Sequence, residues 1–184
     1  MNNKQTINKF LIFAAVLLQV ILLFSIQIRK EISLRSGKRI VVKIVPVDPR
    51  SIFRGDYINL NYEFSRLDLN KVKHDKAHFS KGQKVFVKLS KTDEEWKAIQ
   101  VSQKSFKDVG TNEIILAGSI NGWPSKDSVN MVYGIESYFV PEGKGKYIEG
   151  KISDKRIKAE LSIDNKGYAS VCKIFIDEEE VKFR

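Results

Sequence analysis

One stretch near the N-terminus constrains this chain more than any other. Phe10 to Ile28 contains 19 residues without a charge, and only Gln19, Ser25 and Gln27 are polar. At about 1.5 Å of rise per residue, a helix of this length spans roughly 28 Å, which matches the hydrocarbon core of a bilayer. A helix also satisfies its own backbone hydrogen bonds in lipid. The stretch therefore predicts one transmembrane helix.

A cleaved signal peptide is the alternative interpretation of the same stretch. Its apolar region would be shorter, about 7–15 residues, and would end in a small-x-small cleavage site. Here the apolar run leads directly into Gln27, Ile28, Arg29 and Lys30, with no pair of small residues at a cutting position. No cysteine lies at the end of the run, which excludes a lipoprotein signal. A retained anchor is the favoured interpretation.

The flanking charges leave the orientation of the anchor open. More basic residues follow the stretch than precede it, which alone would keep the domain in the cytoplasm. Long domains, however, are exported largely regardless of their charge. We expect a single-pass protein of the cell membrane with its soluble domain outside the cytoplasm. The expected organisation is an N-terminal tail, the transmembrane helix, a juxtamembrane linker and one β-rich domain, at residues 1–9, 10–28, 29–37 and 38–184.

The charge of the chain bears on its partners. Lysine and arginine total 32 against 22 acidic residues, for a net charge of +10. The basic residues are scattered and interspersed with acidic ones, so we expect a solvated surface, with attraction to anionic lipid headgroups as the second possibility and no nucleic acid partner. Cys172 is the only cysteine, and its alternation with Ile174 and Ile176 predicts a small buried side chain.

Beyond residue 37 the hydrophobic pattern has a period of two, which is typical of strands. Polar turns at 91–94 and 164–167 predict two hairpins. We predict a mainly antiparallel all-β domain, sandwich- or barrel-like, with a loop at 66–80 that holds at most one helical turn and a short helix at 146–152. The predicted strands cover residues 39–44, 56–64, 84–90, 96–102, 113–120, 129–133, 137–140, 155–163 and 168–176.

The segment 56–64 has the clearest alternation. One face carries large apolar and aromatic side chains, and the other is more polar. We expect the first face to fill the core, with the hydroxyl of Tyr62 reaching a polar partner. The core face consists of Ile58, Leu60, Tyr62 and Phe64, and the opposite face of Tyr57, Asn59, Asn61 and Glu63.

The same segment contains the most specific motif of the chain. Residues 55–62 read GDYINLNY, and a second block follows downstream, beginning at 133–135. This pattern resembles the GDYXXLXY family of bacterial membrane-anchored proteins, which is named for the first block. The residues singled out are Asp48, Arg50, Arg54, Gly55, Asp56, Tyr57, Leu60 and Tyr62 in the first block, and Tyr138, Phe139, Val140, Pro141, Glu142 and Gly143 in the second.

The resemblance implies an architecture and a kind of partner, without an activity. In the family a transmembrane helix precedes the domain, and the two blocks follow in the order seen here. Members occur beside multi-spanning membrane proteins of unassigned function. The resemblance therefore implies a membrane protein as partner.

The first block has a structural and a functional interpretation. Gly55 allows a tight turn into the strand, and Asp56 can cap that turn or pair with Arg50 or Arg54. Tyr57 points away from the predicted core. The functional alternative is a polar binding site formed by Arg50, Arg54, Asp56 and Tyr57.

Two patterns that suggest metal or phosphate chemistry are weak. His74 and His78 have the i, i+4 spacing that places two imidazoles on one metal when they lie on a helix. Their charged surroundings lack an apolar face and favour a solvated loop instead. The glycines and lysines at 143–146 lack the spacing of a phosphate-binding loop.

A serine–lysine peptidase of the signal-peptidase type also combines an anchor with a β domain. It would need Ser33 or Ser36 near the membrane and Lys84 or Lys88 as a desolvated base. No signature sequence surrounds either pair. We keep a signal-peptidase-like hydrolase as the second functional alternative.

The sequence as a whole favours a binding role. We predict no catalytic residue, no metal and no cofactor. The expected function is a non-catalytic, membrane-anchored accessory protein whose partners are the lipid bilayer and, as the resemblance implies, a multi-spanning membrane protein. The first alternative is a ligand- or envelope-binding module that uses the Arg50, Arg54, Asp56 and Tyr57 region. The oligomeric state is not predicted.

Overall fold

The computed structural model describes residues 11–24, 37–45, 53–54, 57–75, 78–93, 95–141 and 157–182. Residues 11–24 are helical and their side chains are exposed. The other residues of the predicted transmembrane stretch lie outside the described part. Among the described residues, no helix reaches the combined length and apolarity needed to cross a membrane.

Strands are the main regular secondary structure of the described chain after residue 37. One short 3₁₀ helix, Glu63–Ser65, interrupts them. The strands are β1 Lys38–Val45, β2 Phe53–Arg54, β3 Tyr57–Asn59, β4 Asn61–Tyr62, β5 Arg66–Asp68, β6 Lys73–His74, β7 Lys84–Thr92, β8 Glu95–Ser102, β9 Glu113–Asn121, β10 Ser128–Val132, β11 Ser137–Phe139, β12 Ile157–Ile163, β13 Ala169–Ile176 and β14 Glu179–Glu180.

These strands form three sheets within the described residues. The largest has the order β5-β10-β9-β7-β8-β6, the second β14-β13-β12-β1-β4, and the smallest β11-β3-β2. Only the pairing of β6 with β8 is parallel among the described pairs. The prediction of a mainly antiparallel, all-β domain is confirmed, and the hairpins β7–β8 and β12–β13 lie where the polar turns placed them.

One hydrophobic core joins the two larger sheets. Alternate residues of β1, such as Ile40 and Val42, bury their side chains beside Leu161 of the adjacent β12. Val87 and Leu89 of β7 contribute to the same cluster from the six-stranded sheet. Period-two patterning thus places one face of each strand in a shared core, as the sequence indicated.

The predicted strand at 56–64 is divided in the structure, although its core face is confirmed. β3 pairs with β11, whereas β4 pairs with β1. The chain then turns into the 3₁₀ helix, where the backbone N–H of Tyr62 donates to Ser65 Oγ at 3.0 Å. Every other residue is buried as expected: Ile58, Leu60, Tyr62 and Phe64.

Two other predictions need correction or fall outside the described residues. The segment 66–80, predicted as a loop with at most one helical turn, contains β5 and β6. These strands have only two or three residues, too few to show an alternating pattern. The short helix predicted at 146–152 lies outside the described residues.

The prediction that Cys172 is buried is wrong. The register of β12 against β13 pairs Glu160 with Lys173 and Leu161 with Val171, so Cys172 is the extra residue of a β-bulge. Ile174 and Ile176 are buried, but the bulge interrupts this alternation before it reaches Cys172. Cys172 is therefore partly exposed. Burial still raises the pKa of its thiol above the ordinary value.

Candidate functional site

The two sequence blocks come together in the smallest sheet. β3 and β11 are antiparallel neighbours, with Tyr57 opposite Phe139 and Ile58 opposite Tyr138. β2 lies on the other edge of β3, where Arg54 pairs with Tyr57 in the backbone register. We call these three strands, β2, β3 and β11, the motif ribbon. The ribbon joins blocks that are distant in sequence.

The inner face of the motif ribbon is anchored in the core. Ile58 and Val140 are fully buried. The backbone N–H of Leu60 donates to the carbonyl of Glu136 at 2.7 Å. The hydroxyl of Tyr62 donates to the carbonyl of Ile135 at 2.8 Å. The first block is thus tied to the second by backbone and side-chain hydrogen bonds.

Three buried rings, Tyr62, Phe64 and Tyr133, continue this inner face, and we call them the inner aromatics. Tyr62 stacks on Phe64 with ring centroids 5.3 Å apart, and Phe64 meets Tyr133 edge-on at 5.4 Å. The hydroxyl of Tyr133 donates to the carbonyl of Phe64 at 2.8 Å. Burial, and secondarily the carboxylate of Glu136, raises the pKa of both tyrosines, so both remain neutral donors.

A tight bend delivers the second block to the ribbon. Gly134 has φ of +83°, a left-handed conformation that glycine adopts without strain. The carboxylate of Glu136 accepts the backbone N–H groups of Tyr133 at 2.5 Å and of Gly134 at 2.9 Å. The bend therefore has its own side-chain cap, which orients β11 toward β3.

The outer face of the ribbon carries two exposed aromatic side chains. Tyr57 is 52% exposed and Phe139 is 58% exposed. Their rings meet edge-to-face with centroids 5.4 Å apart. We call them the outer aromatic pair. Exposed aromatic side chains of this kind are enriched at protein interfaces, where they supply large contact area at low entropic cost.

The predicted site residues differ in how far the structure buries them. Leu60, Tyr62 and Val140 are buried, Tyr138 and Pro141 are half-buried, and Tyr57 and Phe139 are exposed. Only the strand position of Arg54 is described. The structure does not describe Asp48, Arg50, Gly55, Asp56, Glu142 and Gly143. The polar site predicted from Arg50, Arg54, Asp56 and Tyr57 therefore stays a prediction.

The sequence prediction missed the roles of Ile135 and Glu136. Ile135 acts through its backbone carbonyl, which no sequence pattern reveals. Glu136 follows Gly134 by two residues, and a carboxylate just after a turn glycine is a signal that could have indicated a cap.

The side chain of Lys88, one candidate base of the peptidase alternative, contacts Glu113 and the 103–112 loop. Its ammonium lies 3.2 Å from the Glu113 carboxylate, donates to the Asp108 carbonyl at 2.7 Å and lies 5.0 Å from the centre of the Phe106 ring. The backbone N–H of Gly110 and the Lys88 ammonium hold the pKa of Glu113 below its ordinary value. These contacts fasten the 103–112 loop to the sheet. Ser33 and Ser36 lie outside the described residues.

His74 and His78 have the sequence spacing that could suit a metal ion. His74 belongs to β6, and its ring lies edge-on to Phe79 at 6.1 Å. The solvated loop predicted here is thus partly replaced by a short strand. In the part of the chain that the structure describes, no three His, Cys, Asp or Glu side chains gather closely enough to hold a metal ion.

Comparison with known proteins agrees with the motif. No curated protein and no solved structure matches the chain significantly. The family model described as GDYXXLXY protein matches residues 19–174. That range includes both blocks, the motif ribbon and the inner aromatics, and it covers most of the chain. The chain belongs to the GDYXXLXY protein family.

Proposed function

We propose that this protein is a non-catalytic, membrane-anchored accessory protein that binds another membrane protein through the outer aromatic pair. The observation that carries this proposal is the exposure of Tyr57 and Phe139 on a ribbon whose other face is locked into the core. A rigid support keeps the two rings in place before binding, which lowers the entropic cost of association. Rigid, exposed aromatics are also the side chains that most often dominate binding energy.

The membrane part of the proposal depends on residues 10–28, which we propose as the single transmembrane helix. The support is their uncharged sequence together with the helical conformation and exposed side chains of residues 11–24. The linker at 29–37 would join this anchor to the domain, which we place outside the cytoplasm, at the cell membrane.

The position of the pair suggests how a partner approaches. The linker enters the domain at Lys38, and β1 runs from there for about 23 Å at about 3.3 Å per residue. Val45, at the other end of β1, pairs with Asn61 of β4. Since β4 runs antiparallel to β1 and β3 precedes β4 in the chain, we expect Tyr57 to lie nearer the Val45 end of β1 than the Lys38 end. We propose that the outer aromatic pair contacts the part of a partner that projects from the membrane, such as a loop of a multi-spanning protein.

A ligand- or envelope-binding module is the second candidate. The observation that favours it is the register of β2 with β3, which sets Arg54 directly beside the exposed Tyr57. Arginine and tyrosine are residue types that suit anionic or glycan ligands. Under this alternative the Arg50, Arg54, Asp56 and Tyr57 region binds a small molecule or an envelope polymer.

In-cell photocrosslinking distinguishes these candidates. A benzoyl-phenylalanine introduced at Tyr57 or Phe139 in the full chain should crosslink to one membrane protein. The matched control is the same replacement at Tyr168, which is 54% exposed but lies outside the ribbon. Equal products from all three positions, or none from Tyr57 and Phe139, would contradict the proposal. Loss of the chain from membranes on a high-salt wash would contradict the anchor.

A further inference from the structure

Along residues 39–43, one edge of β1, away from the outer aromatic pair, has no strand partner among the described residues. Among the described residues, Arg39–Lys43 pair only with β12, since β4 reaches no farther than Ile44. A groove of about 560 Å³ follows this open edge. It is bounded by Phe64 on one side and by the β7–β8 turn with Trp96 on the other.

The backbone of β1 determines which groups face the groove. Ile44 is opposite Tyr62, but the N–H of Tyr62 donates to Ser65 Oγ. Ile44 and Tyr62 are therefore a non-hydrogen-bonded pair, and even-numbered residues of β1 direct their N–H groups toward β12. The N–H groups of Arg39, Val41 and Lys43 consequently point into the groove. A row of alternate donors and acceptors at strand spacing matches one kind of occupant, another extended backbone.

The charges on β1 indicate the composition of that occupant. The outward side chains of the edge are Arg39, Val41 and Lys43, so the pattern is basic, apolar, basic. Arg39 pairs with Glu160, and Lys43 with Glu95, yet both basic side chains remain more than half exposed. A strand added beside them would place its own outward residues directly opposite, where opposite charges stabilise and like charges destabilise.

The same rule disfavours a second copy of this chain as occupant. If β1 paired with β1 of another copy in antiparallel fashion about Val41, Arg39 would face Lys43. In a parallel arrangement each basic residue would face its own copy. Both arrangements oppose like charges. The net charge of +10 further favours an acidic partner over another copy of this chain.

We propose that the open edge of β1 binds an extended acidic segment of another protein by β-strand addition, with an acid-x-apolar-x-acid pattern facing Arg39, Val41 and Lys43. The bound segment continues the β12–β1 sheet by one strand and lies in the groove lined by Phe64 and Trp96. This surface is separate from the motif ribbon. Its failure would leave the proposed role of Tyr57 and Phe139 intact.

Amide exchange of the full chain in detergent micelles tests the proposal. The probe is the capped peptide TETVTET, and the control is TKTVTKT. Without peptide, the N–H groups of Arg39, Val41 and Lys43 should exchange much faster than those of Ile40 and Val42. The acidic peptide should slow the three fast amides, and the basic peptide should not.

A pair of variants tests the charge assignment. Arg39→Glu/Lys43→Glu should weaken TETVTET binding by about tenfold, because two favourable cross-strand pairs become repulsive. The matched control Lys126→Glu/Lys166→Glu changes the net charge equally at exposed positions outside the groove and should keep wild-type affinity. Slow exchange of the three amides in the free protein would show an edge already paired, and protection that grows with protein concentration alone would show a second copy. Either of these two results would overturn the proposal. So would the absence of any effect of TETVTET at millimolar concentration, or equal binding of TETVTET by both double variants.

Discussion

The aromatic side chains on the two sides of the motif ribbon differ in their exposure to solvent. In the core, where the inner aromatics continue the inner face of the ribbon, Tyr62 and Tyr133 are buried, with each hydroxyl donating to a backbone carbonyl. On the outer face, Tyr57 and Phe139 contact each other and solvent. The two sequence blocks thus bury some of their aromatic side chains in the core and leave Tyr57 and Phe139 exposed. Changes to the two faces should therefore affect different measurable properties.

The largest expected effect comes from truncating one tyrosine on each face. Tyr133→Ala should lower the free energy of unfolding by about 3–5 kcal/mol, because it removes a buried ring and its hydrogen bond. Tyr57→Ala should lower it by about 1 kcal/mol or less, the value of an exposed aromatic contact. Urea unfolding of the full chain in detergent measures both. Equal losses would show that the two faces do not differ as described.

A glycine beside the inner aromatics gives the next effect. A Cβ at Gly118 would lie 2.8 Å from Cδ1 of Tyr133 and 2.8 Å from the Val132 carbonyl. Gly118→Ala should therefore cost about 1–3 kcal/mol of stability through overpacking. Gly110→Ala is the control, since its Cβ would meet nothing closer than 3.4 Å. A Gly118→Ala protein as stable as Gly110→Ala would contradict the tight packing of Tyr133.

Removing a single hydroxyl should have a smaller effect. Tyr62→Phe leaves the buried carbonyl of Ile135 without the 2.8 Å hydrogen bond and should cost about 1–2 kcal/mol. Tyr57→Phe, on the outer face, should stay within about 0.5 kcal/mol of the wild type. Thermal unfolding measures the difference. A Tyr62→Phe protein that matches the Tyr57→Phe protein would mean that this hydrogen bond does not contribute to the inner face.

The inner face also predicts sensitivity to alkaline pH. Burial raises the pKa of Tyr62 and Tyr133 in the folded state above the ordinary value of 10.0. Their contribution to stability is therefore complete below pH 10 and falls as pH rises beyond 10, where the unfolded chain ionises first. When the pH is raised from neutral to above 10, the free energy of unfolding should fall less in the double variant Tyr62→Phe/Tyr133→Phe than in wild type. The fall for Tyr62→Phe alone should be intermediate. Parallel pH profiles for all three proteins would refute this assignment.

The sequence predicted which residues lie on each face more successfully than it predicted which strands pair. Period-two alternation identified Ile58, Leu60, Tyr62 and Phe64 as the core face, because burial on one side of a strand leaves a direct trace in composition. It also placed Tyr57 on the opposite face. Alternation does not specify partners, and the pairing of β3 with β11 depends on backbone hydrogen bonds between residues about 80 positions apart.

Local irregularities account for the remaining errors. The bulge at Cys172 shifts the alternation by one residue, which no composition rule reveals. The division of 56–64 into β3, β4 and a 3₁₀ helix follows from two different strand partners and from the Ser65 hydroxyl. In the candidate site, Tyr57 and Phe139 were both selected as motif residues. Their contact with each other became visible only in the folded arrangement.

The most direct test of the account separates binding from folding at the ribbon. The full chain carrying Tyr57→Ala/Phe139→Ala is compared with wild type and with Tyr168→Ala for capture of the crosslinked membrane partner, with unfolding temperatures measured in parallel. We expect the double variant to lose at least about tenfold in partner capture while its unfolding temperature stays near that of Tyr168→Ala. Undiminished capture by a folded double variant would contradict the claim that the outer aromatic pair is the binding surface.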